Sequence, residues 1–206
     1  MRTHPTGRLA VLKKILVAVV IAVAVLALVI ATRPAEYKVE RSVSVSAPAA
    51  IAYAQVADFH GWEAWSPWGK LDPGMKVDFG GPASGTGAAY HWTGNDKVGE
   101  GRMTITGAKP GSEIVIRLEF LKPMEDVATT TFSFAPDGAG TKVSWAMTGK
   151  LGFIGKAMCM VKSMDAMIGP DFEKGLAALK GVAEAQAKKA VTEAAAVPAA
   201  VAAPAK

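Results

Sequence analysis

The stretch LGFIGKAMCMVKSMDAMIGPDFEKGLAALKGVAEA, residues 151–185, decides how the rest of the chain must be arranged. Apolar residues recur in it every three or four positions, which places them on one stripe of a helix: Ile154, Met158, Val161, Met164, Ile168, Phe172, Leu176, Leu179 and Val182. Gly169 and Pro170 interrupt the pattern. We therefore expect a short helical piece to about Ile168, a kink, and a stronger helix from Pro170 to about Glu184. Such a helix needs an apolar surface to lie on.

The formal charge of +5 on this 206-residue chain is confined to its beginning. Of the 23 basic residues, five precede residue 34 without any acidic residue, and the other 18 balance the 18 acidic residues. A nearly neutral folded part argues against a nucleic-acid-binding surface. The single cysteine, Cys159, excludes an intramolecular disulfide and is interpreted as a small buried apolar residue.

The N-terminal region has the composition of a membrane anchor. A short basic segment, residues 1–14, precedes an apolar run of 17 residues from Ile15 to Ala31, and Arg33 and Pro34 follow it. We predict an uncleaved transmembrane helix over residues 15–32, since the run is at the lower limit for crossing a bilayer. The preceding lysines predict a cytoplasmic N-terminus, a single pass through the cytoplasmic membrane, and a domain on its outer side. The alternative is a cleaved signal peptide and a secreted domain.

Residues 36–149 alternate between apolar and polar side chains in a series of short segments. Tyr37–Ser46 is the first, and further segments follow near residues 75–79, 88–93, 98–106, 113–120, 127–135 and 141–149, separated by turns rich in glycine and proline. Each segment has one apolar face. This predicts an antiparallel sheet of about seven strands that is covered on one side, in an α+β domain.

Three tryptophans, Trp62, Trp65 and Trp68, fall within seven residues. They are expected to close one end of the core or to form the rim of a cavity for an apolar ligand. The glycine-rich segment 80–87 lacks the Lys-Ser or Lys-Thr ending and the following helix of a phosphate-binding loop, so we interpret it as a hairpin loop.

Five short motifs, taken in order, resemble one protein superfamily: SAP at 46–48, DFHGWEAWSPW at 58–68, GEGRMTI at 99–105, GTKVSW at 140–145 and MDAMIGPDFEKGL at 164–176. They are similar to motifs of the START-like, Bet v 1-like superfamily, and more narrowly of bacterial SRPBCC proteins labelled polyketide cyclase/dehydrase-like. The resemblance covers residues 36–184. It implies a helix-grip fold for a domain at 36–185, with a curved antiparallel sheet wrapped around the long C-terminal helix. The Ala/Pro/Lys-rich tail, 186–206, is expected to be disordered.

In this superfamily the space between sheet and helix commonly holds lipids, sterols, polyketides or other apolar molecules. The resemblance therefore implies that a hydrophobic small molecule or lipid is the partner of this domain. The side chains expected to line the site are Trp65, Phe79, Trp92, Met103, Phe120, Phe132, Trp145, Met147, Met164 and Ile168. No cofactor is expected, and no histidine or cysteine spacing suits a metal.

Two alternatives to simple binding remain open. One is a polyketide cyclase/dehydrase-like enzyme acting on an apolar or aromatic substrate, with Asp165, Tyr90 or His91 as acid or base; it requires these groups to point into the cavity. The other is an envelope protein-interaction module that uses the 186–206 tail. No nucleophile motif of the Gly-x-Ser-x-Gly type occurs.

Overall fold

The computed structural model describes the backbone of residues 6–196 and the side chains of residues 11–195. Its centre is a seven-stranded antiparallel sheet, as the alternation predicts. The strands are β1 (Glu36–Val45), β2 (Lys76–Gly80), β3 (Ala89–Thr93), β4 (Glu100–Lys109), β5 (Glu113–Lys122), β6 (Asp126–Asp137) and β7 (Gly140–Lys150). From β2 onward each strand pairs with the next one along the chain, and β1 pairs with β7, which gives the order β1-β7-β6-β5-β4-β3-β2.

Four α-helices and two 3₁₀ helices complete the fold. They are α1 (Thr6–Thr32), α2 (Ala49–Ala57), the 3₁₀ helices Phe59–Ala64 and Trp68–Lys70, α3 (Phe153–Cys159) and α4 (Met164–Ala196). Helix α4 packs chiefly on β1 and on α2. Its side chains Phe172, Leu176 and Leu179 are fully buried in the core. The helix-grip architecture expected from the sequence is confirmed.

The predicted boundary between two helices at Gly169-Pro170 is wrong. Helix α4 runs without interruption through Pro170, and the break lies earlier, between α3 and α4. The hydroxyl of Ser163 accepts a hydrogen bond from the amide of Ala166 and so caps the helix six residues before the expected start.

The helix also extends beyond its expected end near Glu184. It continues to Ala196, so residues 186–196 of the predicted disordered tail are helical, and residues 197–206 lie outside the described part of the chain. The amide of Gln55 donates to the side chain of Gln186, and Ala187 packs on the core edge, so the domain continues to hold the helix past residue 185. Beyond Lys188 the side chains are exposed and the sequence is rich in alanine, the best helix former.

Arg41 attaches the beginning of α4 to the sheet. It lies on the inner face of β1, in phase with Val39 and Val43. Its Nη1 and Nη2 atoms donate to the two carboxylate oxygens of Asp165 at 2.7 and 3.0 Å, and its Nε donates to Glu173 at 2.7 Å. One guanidinium therefore holds residues on both sides of Pro170.

Gly169 is required by this arrangement. A Cβ at this position would clash with the Arg41 guanidinium, whereas a Cβ at Gly181, on an exposed part of the same helix, would meet no atom within 4 Å. The glycine that looks like a helix breaker in the sequence therefore provides space for the arginine.

The middle of α4 is attached to the chain after β1 by Glu184. Its Oε1 atom accepts a hydrogen bond from the backbone N–H of Ser46 at 2.7 Å and lies 3.2 Å from Nζ of Lys180. These contacts lower the pKa of Glu184, the backbone hydrogen bond contributing most. The pKa of Asp165 is lowered in the same way, mainly by its hydrogen bonds from Arg41.

Alanine substitutions at the two helical glycines are expected to have opposite effects. Gly181→Ala should stabilise the domain by about 0.5–1 kcal/mol, because alanine is the better helix former. Gly169→Ala should destabilise it in thermal or urea unfolding, because the methyl group displaces Arg41. In the Arg41→Met background the cost of Gly169→Ala should disappear. Equal stabilisation by both single substitutions would contradict the role assigned to Arg41.

Acid should weaken the attachment of α4 to the rest of the domain. A carboxylate with a lowered pKa stabilises the fold at pH values above its ordinary pKa, 4.5 for Glu184. That contribution is lost as the pH falls through the lower value of the folded state. We expect the melting temperature to be flat above this range and to fall below it. Glu184→Gln keeps an acceptor for Ser46 but cannot titrate. The melting temperature of this variant should therefore fall less steeply in acid than that of the wild type. An equal fall in both proteins would show that other groups cause the acid sensitivity.

Candidate functional site

The inner face of the sheet has a filled half that is built around Trp145 of β7. The ring of Phe172 from α4 lies flat on it, with centroids 4.1 Å apart and planes 8° from parallel, and Phe132 of β6 stacks at 4.8 Å. Trp65 and Trp68 meet the same ring edge to face at 5.7 and 5.5 Å. This half is a closed aromatic cluster.

Hydrogen bonds from two tryptophan side chains to the backbone of α2 fix the segment that follows this helix. Nε1 of Trp62 donates to the carbonyl of Val56 at 3.0 Å, and Nε1 of Trp65 donates to that of Gln55 at 3.1 Å. On the helix side, a Cβ at Gly175 would lie 2.8 Å from the Trp145 ring. Glycine at this position allows α4 to approach the cluster closely.

Trp145 differs from the other buried tryptophans in its hydrogen bonding. Trp62, Trp65 and Trp92 each donate Nε1–H to a backbone carbonyl. Nε1 of Trp145, in a side chain that is 2 % exposed, has no acceptor among the described residues. An unpaired buried donor costs roughly 1–3 kcal/mol, which a water molecule or a bound molecule with an acceptor would recover.

The other half of the inner face, here called the open half, contains a row of residues that crosses the sheet near the start of β1. Cross-strand pairing aligns five residues of β1, β7, β6, β5 and β4 in this row, in the order Tyr37, Gly149, Ala128, Leu118 and Met103. The large side chains of this row remain partly exposed, as do their neighbours on the sheet and on the first turns of α4: Tyr37, Met103, Leu118, Phe120, Met164 and Ile168. The open half is therefore an apolar surface that α4 does not fully cover.

Tyr37 is the polar group of this open half. Burial raises the pKa of its hydroxyl to about 12, and Asp126 and Cys159 nearby contribute further. The hydroxyl is therefore neutral at physiological pH, and it makes no hydrogen bond to any of the described residues. It can donate to, or accept from, a bound molecule. The sequence could have placed Tyr37 on the inner face, because it precedes Val39 by two residues on β1 and residues two apart on a strand share a face.

The structure separates the ten side chains predicted to line a ligand site. Trp65, Phe132 and Trp145 belong to the filled half. Met103, Phe120, Met164 and Ile168 belong to the open half, and Met147 is buried between the two. Trp92 is buried further along the sheet, and Phe79, on the edge strand β2, is 46 % exposed and stacks on His60. The ligand-lining role of all ten residues remains a prediction.

Two cavities among the described residues lie away from α4. A cavity of about 290 Å³ at the β2–β3 edge is lined by Phe59, His60, Phe79 and the Gly80–Ala83 loop. A shallow groove of about 580 Å³ crosses the outer face of β1, β6 and β7, beside Glu36 and Lys150.

The three groups considered for acid–base chemistry do not converge. Asp165 is exposed and paired with Arg41. His91 lies on the outer face, with Nε2 3.6 Å from Glu100. Tyr90 is on the inner face beside Phe59 and Phe79, where burial raises its pKa. Among residues 6–196 no cluster of histidine, cysteine or carboxylate side chains is arranged to hold a metal.

Comparisons with known proteins agree with this fold. Residues 36–184 match the model of the family described as polyketide cyclase / dehydrase and lipid transport. No curated protein sequence matches the chain.

Solved structures with the same fold are remote in sequence. Protein CV1439 from Chromobacterium violaceum is 16% identical, with a TM-score of 0.51 over 71% of this chain and 96% of that one. The di-domain ARO/CYC proteins StfQ, of the steffimycin biosynthetic pathway, and BexL, of the BE-7585A biosynthetic pathway, are 14% and 19% identical, with TM-scores of 0.54 and 0.52. Each match covers 77% of this chain and 52% of the di-domain protein. Through residues 36–184 the chain belongs to the polyketide cyclase / dehydrase and lipid transport family.

Proposed function

We propose that the domain binds a hydrophobic small molecule or lipid against the open half of the sheet, and that α1 holds the domain at a membrane. The observation that carries the first part is the row of partly exposed apolar side chains at Tyr37, Leu118 and Met103, next to a filled aromatic half. Covering apolar surface is worth about 25 cal/mol per Å². A molecule lying between this row and the start of α4 would gain that energy.

One polar group of the open half is available to orient such a molecule. The Tyr37 hydroxyl is neutral, because burial raises its pKa to about 12, and it can donate to or accept from a bound molecule. A ligand with one oxygen acceptor and a long or aromatic apolar body matches this combination. The family description, which includes lipid transport, supports the same class of ligand. The enzymatic alternative retains only Tyr90 on the inner face and remains a hypothesis.

The anchoring part of the proposal rests on α1. Residues Val11–Thr32 form a helical segment of 22 residues that is long and apolar enough to cross a membrane. At 1.5 Å per residue it is about 33 Å long, which matches a hydrocarbon core of about 30 Å. Its large apolar side chains from Val11 to Leu28 are exposed, whereas Ile30 is buried against the domain. The lysines before the run favour a cytoplasmic N-terminus and a domain on the outer side.

Filling the open half should block ligand binding. Full-length protein in lipid nanodiscs is exposed to a fatty acid that carries a diazirine in its chain, irradiated, and mapped by peptide mass spectrometry. We expect cross-links on β4, β5 and the start of α4, and their loss in Leu118→Trp, whose larger ring occupies the row. The matched control is Thr129→Trp on the outer face of β6, which should keep them. Cross-links confined to α1, or equal losses in two variants that fold by circular dichroism, would refute the binding site.

Intact-mass analysis of the mature protein tests the anchor. We expect residues 15–31 to be retained and the protein to stay in the membrane pellet after alkaline carbonate extraction. A new N-terminus near Thr32 would show instead a cleaved signal peptide and a secreted domain.

A further inference from the structure

Exposed apolar side chains are concentrated where α1 meets the domain. The α3 patch consists of Phe153, Ile154, Met158, Met160 and Val161, all of which are exposed, with Ile154 at 60 % and Val161 at 92 %. A two-turn helix and its C-terminal turn thus present most of their large apolar side chains to the surroundings. A contiguous exposed apolar patch usually marks a surface that contacts a partner or a membrane.

Helix α1 packs directly on α3. Nζ of Lys156, on α3, donates to the carbonyl of Ala31 in the last turn of α1 at 3.2 Å. The amide of Leu151 donates to the carbonyl of Ala35 at 2.7 Å, which joins the start of the α3 segment to the chain just after α1. The α3 patch is therefore continuous with the end of the apolar helix.

The connection between α1 and the sheet is short, and the contacts of Lys156 with Ala31 and of Leu151 with Ala35 keep this part of the domain against the end of α1. Only residues 33–35 separate Thr32 from Glu36, the first residue of β1. Three residues span at most about 10 Å when fully extended. The headgroup region on each side of the hydrocarbon core is about 5–8 Å thick. If α1 crosses the bilayer, the beginning of β1 and the neighbouring α3 lie at the headgroup level.

The rest of this end of the domain has a matching surface. Antiparallel pairing brings the turn between β5 and β6 to the same end as the start of β1 and the end of β7. This turn and its flanks add Leu121, Met124 and Val127 to the exposed apolar side chains. Between Leu151 and Met164 there are two lysines, Lys156 and Lys162, and no acidic residue, so the segment suits anionic phospholipid headgroups.

We propose that the α3 patch inserts into the interfacial layer of the bilayer that α1 crosses. This inference rests on the membrane anchor proposed above, and its occupant is a phospholipid surface, not a second protein. The open half begins beside this contact, because Tyr37 is the second residue of β1 and Met164 follows the patch by three residues. An apolar ligand can then pass between the bilayer and the inner face of the sheet without crossing water.

Fluorescence quenching in the full-length protein tests the contact. The background is Cys159→Ser, which leaves no cysteine. A single cysteine is then introduced as Val161→Cys, as Ser112→Cys in the turn at the opposite end of the sheet, or as Val20→Cys within α1. Each variant is labelled with bimane and placed in nanodiscs of phosphatidylcholine and phosphatidylglycerol that contain a lipid with a nitroxide near the headgroup or near the end of the acyl chain. All three positions are exposed, so the labels should not disturb the fold.

The label at 161 is expected to lose its fluorescence with the headgroup-proximal nitroxide, the label at 20 with the deep nitroxide, and the label at 112 with neither. Unquenched fluorescence at 161 together with quenching at 20 would overturn the α3 contact and leave the anchor intact. The absence of quenching at both positions would overturn the contact and the anchor together. As a second readout, Ile154→Asp combined with Val161→Asp should slow transfer of the diazirine fatty acid from the bilayer to β4 and β5, whereas Ser112→Asp should not; equal rates would also contradict the proposal.

Discussion

The flat contact between the rings of Phe172 and Trp145 holds the two layers of this domain together. Phe172 comes from α4, Trp145 comes from β7, and the 3₁₀ segment adds Trp65 and Trp68 to the edges of the same ring. Three parts of the chain that are distant in sequence therefore share one aromatic cluster. Because an isolated helix gains little from its own propensity, α4 depends on this burial and on the Arg41 and Glu184 contacts for its position.

The aromatic cluster lies beside a surface that is only partly covered. Helix α4 packs mainly along β1 and contributes Phe172 to the cluster. The large side chains of the row from Tyr37 to Met103 remain partly exposed. If a ligand binds this surface as proposed, the Tyr37 hydroxyl is the polar group beside it.

The sequence predicts the sheet well because each strand has a period of two and only one face is buried. The shared inner face of Ile114, Ile116 and Leu118 follows directly from that alternation. The sequence does not predict the role of Arg41 on the inner face. That role depends on its ion pair with Asp165, which is 124 residues away. The helix boundary that the sequence predicts at Gly169-Pro170 is wrong for the same reason, because a local rule about glycine and proline takes no account of a guanidinium from another strand. The sequence does not predict the open half either. Alternation shows which residues lie on the inner face of the sheet, but not which of them a helix covers.

The sequence predicts a single apolar helix face from residue 151 to 185, but in the structure its two parts lie in different environments. In α4 its members Phe172, Leu176 and Leu179 are buried under the sheet, whereas in and just after α3 Ile154, Met158 and Val161 are exposed. The break at residues 160–163 separates these two parts. If the whole stripe faced the core, these three large side chains would be buried. If α3 were an ordinary solvent-exposed helix, apolar residues would not be expected at every third or fourth position. The proposed insertion of the α3 patch into a bilayer would explain both observations, because lipid would then cover the first part of the stripe as the sheet covers the second.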